Sequence, residues 1–367
     1  MRIRVIFLIV VIQACLLPVF FTKAQKQKTI FLADQKDFVT KKGLFDSEDV
    51  FQLTLKGNIR DLLNDRTGEA KNFPLVLSYK NDDSSDISLP VDVKTRGNFR
   101  RLRENCDLPP LLLQFSIGDA QRSSIFSEQD KLKLVMPCMR DEFVIREWLV
   151  YKIYNLFTPY SFRARLVKVK LEDPKSKKNR DAFYGILLEE EKQMAKRNHM
   201  ILVERKLQPQ QVQRDIFLTM AVFEYLIGNT DWSVQYLQNV KLLAADSLSS
   251  VLTVPYDFDH AGIVNAPYAK PAEELLMSSV RQRRYRGYCI KDLKTFGGVI
   301  EKFNSLKNEL YSIYDSCPLL DQKYIKSTKQ YLDEFYKTIN DTKAWQKDFS
   351  YPCDQNGTGN VVIKGLK

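Results

Sequence analysis

The apolar residues of this 367-residue chain change their period once, near Glu189, and that change limits what the chain can fold into. Before it, short β-like runs broken by turns predict strands at Val50 to Leu55, Leu75 to Tyr79, Ile87 to Val93, Leu111 to Phe115 and Lys131 to Val135. One helix interrupts them: Val144, Leu149, Val150, Ile153 and Leu156 recur at helical spacing over Phe143 to Phe157, which ends before Pro159. Two more strands follow at Ala164 to Leu171 and Phe183 to Leu188, with the charged stretch Glu172 to Asn179 as the hairpin tip between them. Past Glu189 the spacing is helical over Phe217 to Ile227, Lys302 to Tyr314 and Tyr324 to Ile339. Strands followed by helices predict an α+β chain of two lobes. A sheet-rich, largely antiparallel N-terminal lobe covers 25–190, a helix-rich C-terminal lobe 191–349 and a tail 350–367, with a cleft between the lobes.

The first 24 residues read as an export signal: Arg2 and Arg4 are followed by the apolar stretch Val5 to Phe21 and by Thr22-Lys23-Ala24, with cleavage expected after Ala24. Two rival readings are a lipoprotein site at Ile12-Gln13-Ala14-Cys15 and an uncleaved anchor, so membrane attachment is expected only if this segment is retained or lipidated. A periplasmic or extracellular location follows. Cleavage takes Arg2, Arg4 and Lys23 away and lowers the formal charge from +11 to +8, which suits an anionic lipid, polysaccharide or nucleotide ligand. It leaves Cys106, Cys138, Cys289, Cys317 and Cys353 for an oxidising compartment, with Cys106–Cys138 and Cys289–Cys317 as expected disulfides. His199 and His260 are the whole histidine complement, so a histidine-rich metal site is excluded and carboxylates must carry any chemistry.

Two polar, acidic loops set against apolar stretches stand out. Gly228-Asn229-Thr230-Asp231-Trp232-Ser233 ends the Phe217 helix, with Asn239 downstream, and Tyr256-Asp257-Phe258-Asp259-His260 follows the strand Ser250 to Val254. Phosphoryl transfer asks for a carboxylate to position the acceptor, oxygen ligands for divalent cations and a cation for the phosphates. Asp231 can be the base, while Asn239, Asp257 and Asp259 can hold metal. Either loop alone is equally an ordinary cap and turn; together they point to chemistry. Arg281, Arg283, Arg284 and Arg286, interleaved with Tyr285 and Tyr288, form a basic cluster suited to an acidic or phosphorylated acceptor, and export argues against nucleic acid.

The order Arg96-Gly97-Asn98, Lys131-Leu132-Lys133-Leu134, Arg146-Glu147, Gly185 to Glu189, Gly228 to Ser233 and Tyr256 to Asp259 resembles the CotH (spore-coat-protein-H) kinase-like proteins, an atypical branch of the protein-kinase fold. The loop at Asp231 also looks like that of the HipA-type kinases. The resemblance implies a two-lobed protein-kinase-like fold and a kinase that moves the γ-phosphate of ATP, with Mg²⁺ or Mn²⁺, to a protein or glycan hydroxyl. An inactive, kinase-shaped binding protein is the alternative. Position by position it implies Asp231 as catalytic aspartate, Asn239 and Asp257 as metal ligands with Asp259 and Glu189 assisting, and Arg96, Gly97 and Asn98 as the element over the phosphates, with Arg96 or Arg100 supplying its positive charge. Lys133 is the expected phosphate lysine, paired with Glu147 on the Phe143 helix. Two departures need a structural account: Asp231 to Asn239 spans eight residues, where the usual kinase loop spans about five, and Trp232 follows the aspartate directly.

Overall fold

The computed structural model describes residues 42–116 and 118–354. The expected export signal, its rival readings and residues 355–367 of the tail lie outside the described residues.

Seven strands form the first half: β1 (Phe51–Gly57), β2 (Phe73–Lys80), β3 (Asp86–Thr95), β4 (Leu111–Phe115), β5 (Lys131–Val135), β6 (Ala164–Glu172) and β7 (Phe183–Leu188). They close into a barrel in the order β1-β2-β3-β4-β5-β7-β6. Alternation drives the closure: Phe51, Leu53 and Leu55 of β1 and Leu89, Val91 and Val93 of β3 all point into one core with Val167 and Val169 of β6. Neighbouring strands are antiparallel except β1 and β6, which run parallel with Phe51 opposite Val167 and Lys56 opposite Glu172. Short helices α1 (Ile59–Asn64) and α2 (Asp119–Arg122) decorate the barrel, and α3 (Asp141–Phe157) leaves it after β5.

This closed mixed barrel overturns the expected two-lobed protein-kinase-like fold with its largely antiparallel, sheet-rich N-terminal lobe. The physical reason is the parallel β1–β6 pair, a long-range contact that removes both edges of the sheet.

The second half contains α4 (Glu191–Arg197), β8 (Ile201–Val203), α5 (Arg214–Ile227), β9 (Val240–Ala244), β10 (Leu252–Pro255), α6 (Gly297–Ser305), α7 (Lys307–Asp315), α8 (Gln322–Asn340) and α9 (Thr342–Ser350). The helix expected over Lys302 to Tyr314 is thus two, broken at Leu306. Strands β8 to β10 form a small antiparallel sheet. The second core gathers α3, α5 and α8 around Tyr154, Phe223, Leu226, Phe303, Leu332 and Phe335. Because α3 is buried on nearly every face, it ties barrel and helices together.

Cys106 pairs with Cys138 as expected, but Cys289 pairs with Cys353 and leaves Cys317 as a buried thiol. Cysteine spacing carries no information on connectivity, and Cys353 sits beyond α9, whose return brings it to Cys289. No helix among the described residues is long and apolar enough to cross a membrane.

Candidate active site

Helix α5 stops at Gly228, whose φ of 69° is left-handed. A Cβ there would sit 2.1 Å from the Tyr331 hydroxyl, so glycine is required on two counts. Next, the Asn229 side chain accepts from the Asp231 N–H at 3.0 Å, an Asx turn that aims Asp231 away from the helix. The Asn239 amide nitrogen then donates to the Asp231 carbonyl at 2.8 Å and to its Oδ2 at 3.1 Å. The other carboxylate oxygen, Oδ1, has only a long contact of 3.5 Å from Gln238.

The eight-residue spacing is accommodated locally. Ser233 and Gln238 exchange N–H···O bonds of 2.9 and 3.0 Å, so the intervening residues close into a small loop that returns Asn239 to Asp231. Trp232 packs beneath it at 3% exposure, edge-on to Phe217.

The second acidic loop leaves β10 at Pro255. Asp257 adopts φ 64°, uncommon for a residue with a side chain, and its N–H donates to the Tyr151 hydroxyl on α3 at 2.9 Å. Its carboxylate makes no hydrogen bond or ion pair to the described residues. Burial first, then Asp259, raises the pKa of Asp257, opposed by Arg100 and Arg96, with Asp231 adding to the rise. Asp259, in contrast, is consumed: Arg100 lies 3.5 Å from its Oδ2 and the Tyr268 hydroxyl donates to the same oxygen at 3.1 Å. Two backbone bonds stitch the loops together, from Gly262 N–H to the Gly228 carbonyl at 3.1 Å and from Ile263 N–H to the Ile227 carbonyl at 2.9 Å.

Glu147 does not meet Lys133. It is 1% exposed and lies 3.5 Å from Arg100, which bridges it to Asp259. Burial raises the Glu147 pKa well above the usual range, against the pull of Arg100. Burial lowers the Arg100 pKa, but Asp259, Tyr268 and Glu147 outweigh it and keep the guanidinium charged.

Lys133 pairs instead with Glu191 at 2.6 Å, and Lys241 approaches the other oxygen of Glu191 at 3.6 Å. Burial and then Arg96 hold the Lys133 pKa below its ordinary value. Burial pushes Glu191 up, yet Lys133 and Lys241 outweigh it and bring its pKa to about 2. The ammonium of Lys133 sits 5.4 Å from the ring of Tyr256, the residue before Asp257. Arg96, Gly97 and Asn98 follow β3 as a turn with φ 84° at Gly97. The Arg96 guanidinium makes no hydrogen bond or ion pair to the described residues, and its charge acts on both Lys133 and Asp257.

The structure thus brings together Asp231, Asn239, Asp257, Asp259, Arg96 and Lys133, with Glu147 behind them. Glu189 is elsewhere engaged: at 0% exposure it is held by Arg163 at 2.9 Å and Arg197 at 3.0 Å, so both oxygens are filled and the expected metal role has no free ligand atom. The basic cluster also turns inward. Arg281 donates to the Gly262 carbonyl and Arg286 to Thr230 and Trp232, fastening the acidic loops, while Arg283 joins α5 to α8 through the Leu226 and Tyr331 carbonyls. Burial lowers the Arg286 pKa to about 10, opposed by Asp231.

Sequence reading missed Glu191, Lys241 and Arg100 as partners. The triple Glu189-Glu190-Glu191 held a usable signal: Glu190 is the cap of α4, accepting from the Lys192 N–H at 2.7 Å, which leaves its neighbours to point elsewhere. Beside the acids, a pocket of about 150 Å³ is lined by Thr230, Asp231, His260, Lys270, Ala272 and Val280. Larger clefts of about 580 and 600 Å³ lie on the barrel and contain none of these acids.

No family model matches the chain, and no curated protein matches it. A solved structure that aligns with it is that of a Helicobacter pylori proinflammatory kinase, CtkA, at 13% identity over 74% of this chain and 90% of that chain, with a TM-score of 0.36. So low a score carries no argument, and the functional reading rests on the geometry.

Proposed function

We propose that the chain is an exported phosphotransferase that moves the γ-phosphate of ATP to a hydroxyl of a protein or glycan. One observation carries this reading: Asp231 is clamped by Asn239 next to Asp257, whose carboxylate has no protein partner although Arg96 and Arg100 act on it. An unpaired carboxylate held half-buried beside other acids is costly, so its retention marks a site for a cation or a proton.

The donor set fits Mg²⁺ or Mn²⁺. Because the Asn239 nitrogen is committed to Asp231, its Oδ1 is left as an acceptor, and with Asp257 it offers hard oxygen ligands. Among the described residues no group of three or more His, Cys, Asp or Glu is gathered around a metal position. Magnesium needs only one or two carboxylates when phosphates and waters complete its shell. Such a cation, when bound, neutralises charge on the transferring phosphates.

The protein's own steps follow. Arg96 and Lys133 attract the phosphates, and the half-engaged Oδ1 of Asp231 accepts the proton of the acceptor hydroxyl as its oxygen attacks the γ-phosphorus. The bond to the bridging oxygen breaks and ADP leaves. Export is supported by two disulfides, which suit an oxidising compartment.

A thermal-shift titration with ATP and Mg²⁺ or Mn²⁺ tests the reading. Metal-dependent stabilisation is expected in the native chain and should vanish in Asp257→Ala. Absence of a shift with every nucleotide and divalent cation would overturn it in favour of a non-catalytic binding protein.

A further inference from the structure

Helix α5 is buried from Phe217 to Ile227, and one carboxyl side chain lies in that stretch: Glu224, 1% exposed. Neither of its carboxyl oxygens has a hydrogen-bond partner. Two further buried polar groups lack partners beside it, the amide nitrogen of Asn229 and the hydroxyl of Tyr154. Unpartnered polar groups in an apolar core are destabilising, and a plain packing role would be better served by leucine.

The geometry ties this cluster to Asp231. The Asn229 N–H donates to the Glu224 carbonyl at 2.8 Å, so the two side chains hang from one turn of chain. Asn229 Oδ1 is already committed to the Asp231 N–H at 3.0 Å, which turns its amide nitrogen inward toward the Glu224 carboxyl. The pair stands outside strict hydrogen-bond geometry, and a small rotation of either side chain closes it.

We propose that Glu224 is a positioning residue: it steadies the Asn229 amide from below, and Asn229 in turn holds the backbone of Asp231 in place. This deepens the phosphotransferase reading by adding a buried support under its catalytic carboxylate. Tyr154, one helix away on α3, places a further unpartnered hydroxyl beside the same carboxyl. Burial raises the pKa of Glu224 well above its usual value, opposed by Asn229 and reinforced by Asp231.

The test compares Glu224→Gln, Glu224→Ala and Asn229→Ala in the full chain. Hydrogen exchange of the Asp231 amide should quicken roughly ten-fold in both alanine variants relative to core amides of α5 such as Val222, and stay near native in Glu224→Gln, which keeps a carbonyl acceptor. Where transfer activity is measured, kcat should fall in both alanine variants while KM for ATP holds, and Glu224→Gln should restore it. Unchanged Asp231 exchange in Glu224→Ala, or equal damage in Gln and Ala, would overturn the inference. Exchange is read without nucleotide, so failure of the native chain to bind ATP would count against the phosphotransferase alone.

Discussion

The two acidic loops are joined by paired backbone hydrogen bonds, yet they treat their carboxylates in opposite ways. In the first, Asp231 sits on a turn built from side-chain amides, clamped by Asn229 and Asn239. In the second, Asp257 is left unpaired on a left-handed residue while its neighbour Asp259 is satisfied by Arg100 and Tyr268. One loop orients a carboxylate without neutralising it; the other withholds partners from one acid by giving them to the next. That division suits the base and the metal ligand of the proposed phosphotransferase.

The sharpest way to break the comparison is to neutralise each loop separately. Asp231→Asn should lower the transfer rate by about 10³-fold while the metal-dependent ATP shift persists, whereas Asp257→Asn should abolish both. Loss of nucleotide binding in Asp231→Asn would show that the loops do not divide the work.

Next in size is Arg100→Leu. It strands Glu147 and Asp259 as buried acids, so stability should fall by about 3–5 kcal/mol by denaturant unfolding at neutral pH. The loss should shrink in Glu147→Gln. Gly262→Ala probes the seam, since a Cβ there would lie 2.2 Å from the Val280 carbonyl. A cost of about 2 kcal/mol is expected, together with weaker ATP binding if the seam registers the two acids.

The smallest effect concerns Glu191. Its folded pKa of about 2 lies below the ordinary 4.5, so its contribution is present above pH 4.5 and is lost as pH falls through 2. Glu191→Gln should flatten that acid limb in unfolding measured against pH. Glu191 is partly exposed, so the change should stay below about 1 kcal/mol. An unaltered limb would mean that the Lys133 pair does not form in solution.

Much of this was legible in advance, for local reasons. The strands at Leu111, Lys131 and Phe183 and the helix ending at Phe157 are set by short-range periodicity and by Pro159. The two loops were legible because glycine, asparagine and aspartate serve caps and chemistry in the same positions. Barrel closure was hidden, because the parallel match of Phe51 to Val167 depends on a contact that no local pattern records. Partner choice was hidden as well. Glu147 and Lys133 carry the charges of a pair, but Arg100 reaches one from the loop after β3 and Glu191 the other from the start of α4. The arginine cluster looked like a surface because charge counts cannot say which way a guanidinium points.

Barrel closure also sets a timetable. Strand β1 emerges early from the ribosome, but its parallel neighbour β6 is made only after β2 to β5 and the whole of α3. At ordinary synthesis rates of about 5–20 residues per second, β1 waits roughly ten seconds with one edge open. During that interval Phe51, Leu53 and Leu55 are an unpaired strand able to associate with other nascent chains. Aggregation of truncated chains should therefore fall in two steps, first as the C-terminus passes Glu172 and β1 gains its partner, then as it passes Leu188 and β7 fills the gap between β5 and β6, the last commitment of the barrel.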